Sequence, residues 1–267
     1  MLPPLVGTVA LQAEVRSILT ELIASLPLAT ASKVRGIPLV FDPDPNDVNA
    51  FAGCDENGAP YLAGTVGLLE AVDAIAQTKA TDELFGTQTY QAYLNAVLPR
   101  LIQPKGGSAA LPLGTIPPQY LVDPRRLSHA RELFDDIIAF TFGHELAHHY
   151  LNHTGCANGQ PMSNGPSPAA LGQLVVRVLP GLNQFNESAA DNAGCINVLD
   201  TGRARRPNYR WSEKGGLLLL DFFASLERAA GISVFNPIGF LRTHPNPQIR
   251  IPIVQATARA WYAQHPG

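Results

Sequence analysis

Apolar positions Leu11, Val15, Ile18, Leu19, Leu22, Ile23 and Leu26 recur at the spacing of one helix face, which predicts an N-terminal helix that buries a single stripe. The period then changes. GIPLVF at 36–41 is a short apolar run that stops at the turn-forming DPDPND, and APYLAG at 59–64 is a second such run, with NAFAGCDENG between them. Together they predict a small antiparallel sheet. VGLLEAVDAIA at 66–76 returns to helical spacing.

From 77 to 128 the pattern loosens. DELFGTQTYQAYLNAVLPRLI predicts a helix, whereas QPKGGSAALPLGTIPPQY is rich in Pro and Gly and has no period. We read 77–128 as a segment inserted into a single domain of 1–267, and expect its loop, 104–120, to cover or border a cleft, because long irregular loops in compact domains commonly serve as lids. Helical spacing resumes from about 125 to 153, then at about 168–179, 184–199, 212–230 and 248–264, with loops at 154–168 and 236–248. The fold class expected is α+β, mainly α-helical.

Composition narrows the class. Of 267 residues, 46% are hydrophobic and 15% charged, a globular balance that allows a large core. A net charge of -3 with no basic run argues against nucleic acid as a partner. The longest apolar stretch, GGLLLLDFFASL at 215–226, is too short to span a membrane and is broken by Asp221. The N-terminus MLPPLVGTVALQAEV has no basic region and does not read as a signal peptide; a leader removed beforehand would place the protein in the periplasm or outside, and otherwise it is cytoplasmic. Cys54, Cys156 and Cys195 are too few for a disulfide framework and match no cysteine zinc ribbon. They read as ordinary thiols, or, in an exported chain, as one Cys156–Cys195 bridge and one free thiol.

Candidate chemistry concentrates in FTFGHELAHHYLNH, 141–154, which holds four of the seven histidines. HELAH matches H-E-x-x-H. On a helix, His144 and His148 project from one face and can share one Zn²⁺, while Glu145 can reach a water beside the metal without ligating it. Phe134, Ile137, Ile138, Phe140 and Phe142 precede the motif, so the helix is expected to be buried, and a buried His–Glu–His set needs partners that a metal supplies. His149 and His153 lie about 140° and 180° around a continuous helix from His144, so we read them as surface or helix-end residues outside the metal site. A zinc peptidase needs a third ligand. No histidine follows at metzincin spacing. NESAAD at 186–191 offers Glu187 as that ligand and Asp191, one turn on, as acceptor of a ligand histidine's second N–H; small Ser188, Ala189 and Ala190 would let a second helix come close.

Taken in order, VNAFAG (48–53) with GLLEAV (67–72), HELAH, ESAAD and THPNPQIRI (243–251) resemble the gluzincin zinc peptidases of the type-I CAAX prenyl protease and HtpX kind, over about 37–255. The resemblance implies a zincin-like domain with the metal site between two helices and one zinc ion per chain. It implies His144, His148 and Glu187 as ligands, Glu145 as general base, and Asp191 and Arg250 as supporting residues, with Arg250 paired to a nearby carboxylate. Asn49 and Ala50 would lie on the strand that pairs with substrate backbone. His244 would lie near the metal, either donating to the oxyanion or occupying the fourth metal position and keeping the enzyme latent. More than seventy residues separate Glu70 from His144, where the family has a short link. The reading is a zinc endopeptidase acting on proteins or peptides. A plugged, non-enzymatic zinc module and an aminopeptidase or amidase fit the same ligands.

Overall fold

A computed structural model describes residues 1–103, 106–156, 184–205, 210–231, 244 and 246–266. Among the described residues are helices α1 (Thr8–Ser25), α2 (Leu28–Val34), α3 (Val66–Phe85), α4 (Thr89–Leu101), α5 (Pro124–Tyr150), α6 (Gln184–Ala204), α7 (Lys214–Ala230) and α8 (Pro247–Gln264), and strands β1 (Leu39–Asp42), β2 (Ala50–Cys54) and β3 (Pro60–Thr65). The helix expected at 168–179 lies outside the described residues, as do most of the loops expected at 154–168 and 236–248. The fold is zincin-like, mainly helical with a three-stranded sheet.

The long helix α5 is central. Asp123 starts it by accepting the backbone N–H groups of Arg125 and Arg126, with Pro124 in the first turn, where its missing N–H costs nothing. Every residue from Asp136 to Tyr150 is buried, because α3, α6, α7 and α1 pack around the helix and the sheet covers its C-terminal part. α8 lies across α6 and α7. One apolar cluster joins the helices: Leu11, Leu68, Leu133, Ile137, Val198 and Phe222 all belong to it and are fully buried.

The sheet order is β1-β3-β2. The two runs expected to pair antiparallel, 36–41 and 59–64, form β1 and β3 and run parallel, Leu39 opposite Leu62, while the antiparallel partner of β3 is β2, from the stretch between them. The chain between β1 and β2 passes over the end of β3, where Thr65 donates its N–H to the Asn49 carbonyl and its hydroxyl oxygen accepts the Asn49 N–H. β2 therefore returns along the far side of β3 and forms a sheet edge. Thr65 also caps α3 by accepting the Leu68 N–H.

The loop expected to serve as a lid lies along α3 and α4. Tyr93 donates its hydroxyl to the Ala109 carbonyl, Ser108 donates to Glu70, and the Leu2 N–H reaches the Leu111 carbonyl. Ala109, Leu111 and Ile116 are buried. At its other end Arg126 donates to the Tyr120 and Leu121 carbonyls. Arg126 sits at the start of α5, about 27 Å along the helix from His144 at 1.5 Å per residue. Apolar side chains turned inward anchor this segment to the body of the fold.

Candidate metal centre

Three helices and one short segment converge on the C-terminal part of α5. α5 presents His144, Glu145 and His148; α6 presents Glu187 and Asp191; α8 presents Arg250; His244 comes from the chain just before α8. All seven side chains are buried. The crossing of α5 and α6 is close because it is made by glycines. A Cβ on Gly194 would lie 2.7 Å from the His144 backbone nitrogen, and one on Gly143 would lie 3.3 Å from the Gly194 carbonyl. Ser188 and Ala189, expected at this contact, are half-buried and exposed, and Ala190 alone of the three is buried. The signal was legible as spacing: Glu187, Asp191 and Gly194 fall at i, i+4 and i+7 on one face of α6.

His144, His148, Glu187 and His244 each turn one nitrogen or oxygen to a common point, all within 4.8 Å of one another. The Nε2 atoms of His144 and His148 are 3.0 Å apart, and His148 Nε2 is 3.3 Å from Glu187 Oε1. His244 Nδ1 lies 3.3 Å from His144 Nε2 and 2.8 Å from Glu187 Oε2. A tetrahedron with metal–nitrogen bonds of 2.0–2.1 Å has edges of about 3.3 Å, so these separations suit four ligands around one small cation.

The surrounding groups orient the cluster. His144 donates its Nδ1–H to Asp191 Oδ1 at 2.9 Å, which leaves the lone pair of Nε2 facing the common point. Arg250, expected to pair with a carboxylate, donates from Nε and Nη2 to the two oxygens of Asp191, both at 2.7 Å, and its Nη1 is 3.3 Å from Glu187 Oε2. Glu145 stands beside the four: its Oε1 is 3.2 Å from His244 Nε2, yet among the described residues neither of its oxygens makes a well-aligned hydrogen bond. Glu187 Oε1 is likewise buried without one. Asn49 precedes β2 and Ala50 opens it, and the Ala50 carbonyl accepts the His244 Nε2–H at 3.2 Å.

Charge fits a cation too. Burial disfavours the His244 imidazolium, but the carboxylates of Glu187 and Glu145 more than offset this and push its pKa up to about 10. Burial would raise Glu187, yet the facing His244 and the close approach of the His144 and His148 imidazoles hold it well below the usual carboxylate range. Glu145 is held low against the same burial by His244, His144 and His148. Three ionised carboxylates, Glu145, Glu187 and Asp191, outweigh the Arg250 guanidinium and the His244 imidazolium, so a divalent cation that displaced the His244 proton would bring the pocket to neutrality.

The family model for peptidase family M48 matches residues 10–258. The chain belongs to peptidase family M48. No match was found among curated proteins or among solved structures. As an M48 member with a buried His/His/Glu/His cluster able to hold a metal ion, the protein is a metallopeptidase, a hydrolase that acts on proteins. No helix among its described residues is long and apolar enough to cross a membrane.

Two expectations are corrected at the edge of this M48 centre. His149 is buried, because the sheet covers that side of α5 as well: its Nε2–H donates to the Tyr61 carbonyl at 2.9 Å, and Nδ1 accepts from the Thr154 hydroxyl at 3.3 Å. The disulfide joins Cys54 to Cys156, with Cα atoms 5.4 Å apart, while Cys195 is free and buried. Cys195 faces α8 inside the helix packing, its Sγ 4.0 Å from the Val254 carbonyl, whereas Cys54 at the end of the edge strand meets the chain that leaves α5.

The Asp191–Arg250 pair gives a stability test. Arg250→Ala leaves a buried carboxylate uncompensated and should destabilise the fold by about 3–5 kcal/mol in denaturant unfolding. A loss under about 1 kcal/mol would mean that the pair does not compensate Asp191.

Proposed function

We propose that the protein is a zinc-dependent endopeptidase, with His144, His148 and Glu187 as metal ligands and Glu145 as general base. The observation that carries this reading is the set of donor atoms at tetrahedral-edge spacing with an ionised, poorly hydrogen-bonded carboxylate beside it. Zinc held there supplies a Lewis acid that polarises a peptide carbonyl and acidifies water. Glu145 takes the proton of the attacking water on a carboxylate oxygen and delivers it to the leaving amine nitrogen. Asp191, clamped by Arg250, keeps His144 in the tautomer whose Nε2 is a lone-pair donor. An extended substrate adds its backbone to the edge strand β2 beginning at Ala50, which brings the scissile carbonyl to the cluster. We read 1–267 as one catalytic domain. The Cys54–Cys156 bridge suits an oxidising compartment and supports the exported alternative.

A specific observation favours a second state of the same enzyme. The Nδ1 atom of His244 takes the fourth corner of the cluster, and its Nε2–H occupies the Ala50 carbonyl. Four protein ligands would close a zinc site to water, so zinc held by His144, His148, Glu187 and His244 together would leave the enzyme latent until His244 moved aside.

The purified protein should carry close to one zinc per chain, and casein digestion should stop with chelator and return with zinc. Metal analysis that finds none, after zinc is supplied at neutral pH, would sink the assignment.

A further inference from the structure

His148 differs from His144 in what holds it. The Nδ1–H of His144 meets a carboxylate, whereas Nδ1 of His148 lies 3.2 Å from Nδ1 of His153. The two rings meet edge to face, centroids 5.2 Å apart. Two imidazole nitrogens at that distance share one proton, so one donates and the other accepts. Because Nε2 of His148 points to the cluster as an acceptor of metal, its proton must sit on Nδ1. His153 is then the acceptor and carries its own proton on Nε2.

The backbone explains why this pair forms. α5 ends at Tyr150, and Asn152 adopts a left-handed conformation with φ of 62°. The Asn152 N–H donates to the His149 carbonyl at 3.0 Å, and the His153 N–H to the His148 carbonyl at 2.8 Å. This is the paired 5→2 and 6→1 pattern that closes helices, with Asn as the left-handed residue. In that turn the side chain two places past the cap folds back against the third residue from the helix end. Here those positions are His153 and His148. The angle of about 180° from His144 assumed a helix continuing to 153; the turn replaces that angle and makes His153 a neighbour of the cluster.

We propose that His153 is a positioning residue of the metal centre, which fixes the tautomer and ring plane of His148 by accepting its Nδ1–H. This rests on the zinc reading above. Loss of such an outer partner commonly weakens metal binding by about 10–100-fold. His153→Leu keeps bulk but removes the acceptor. His153→Asn places Oδ1 as many bonds from the backbone as Nδ1 was, and so restores an acceptor.

The test is zinc affinity of the full chain by competition with a chromogenic chelator, with thermal unfolding of the zinc-free proteins as a check on folding. His153→Leu should lose about 10–100-fold in affinity and His153→Asn should regain most of it. Equal loss in both variants would make the position merely structural, and no loss in either would overturn the role, in each case with wild-type binding intact. A wild type that binds no zinc would overturn the metal reading and this inference with it.

Discussion

Glu145→Gln should keep its zinc and its fold while kcat for peptide hydrolysis falls by about 10²–10⁴-fold. Gln has nearly the shape of Glu but cannot take a proton. The four groups that converge on the metal point do not include Glu145, so the cation should remain. The carboxylate is ionised in place, because burial, which would raise its pKa, is outweighed by His244, His144 and His148. It is therefore ready to accept a proton near neutral pH. The comparison to make is kcat against metal content in the same preparation. A variant that cleaves like wild type would show that another group is the base, and one that loses both zinc and activity would move Glu145 into the ligand set.

His244→Ala should raise activity. The wild-type conformation uses Nδ1 as a fourth corner and Nε2 to cap the Ala50 carbonyl, so both the metal's open position and the start of the edge strand are engaged by one side chain. If the open form is a tenth of the population or less, removing the imidazole should increase kcat/KM about tenfold or more. A fall of about 100-fold or more would instead assign His244 to the oxyanion, since loss of one such donor costs about that much. The variant should also be more easily stripped of zinc by chelator, an effect that a purely oxyanion role would not produce. Unchanged activity and unchanged metal retention would remove both roles.

Much of the centre was legible because its parts obey short-range rules. HELAH places two imidazoles on one helix face, and Glu187 with Asp191 does the same for two carboxylates. The clustering of those two faces with His244 and Arg250 depends on helices far apart in sequence, and the resemblance to the gluzincin peptidases supplied it. Three features lay beyond the periodicity. The parallel β1–β3 pairing follows from how 43–49 crosses the end of β3, a choice that strand patterns do not encode. The Cys54–Cys156 partnership follows from where the edge strand ends relative to α5, and spacing between cysteines is silent on that. The turn at Asn152 hid inside an apparently continuous helical pattern, so His153 was placed by an angle that ceases to apply at Tyr150.

The disulfide has a practical consequence for a chain that cuts peptide bonds. Cys54 and Cys156 enclose β3, α3, α4, the loop at 106–120 and the whole of α5, including the HELAH motif. A single self-inflicted nick between the two cysteines leaves both fragments tied together as one covalent molecule. Such damage would be invisible in a non-reducing gel and would appear as two bands only after thiol treatment. Because the packed core still holds the pieces in register, a nicked molecule of this kind would keep its mass in solution, and fragments seen only in reducing lanes would report autolysis rather than contamination.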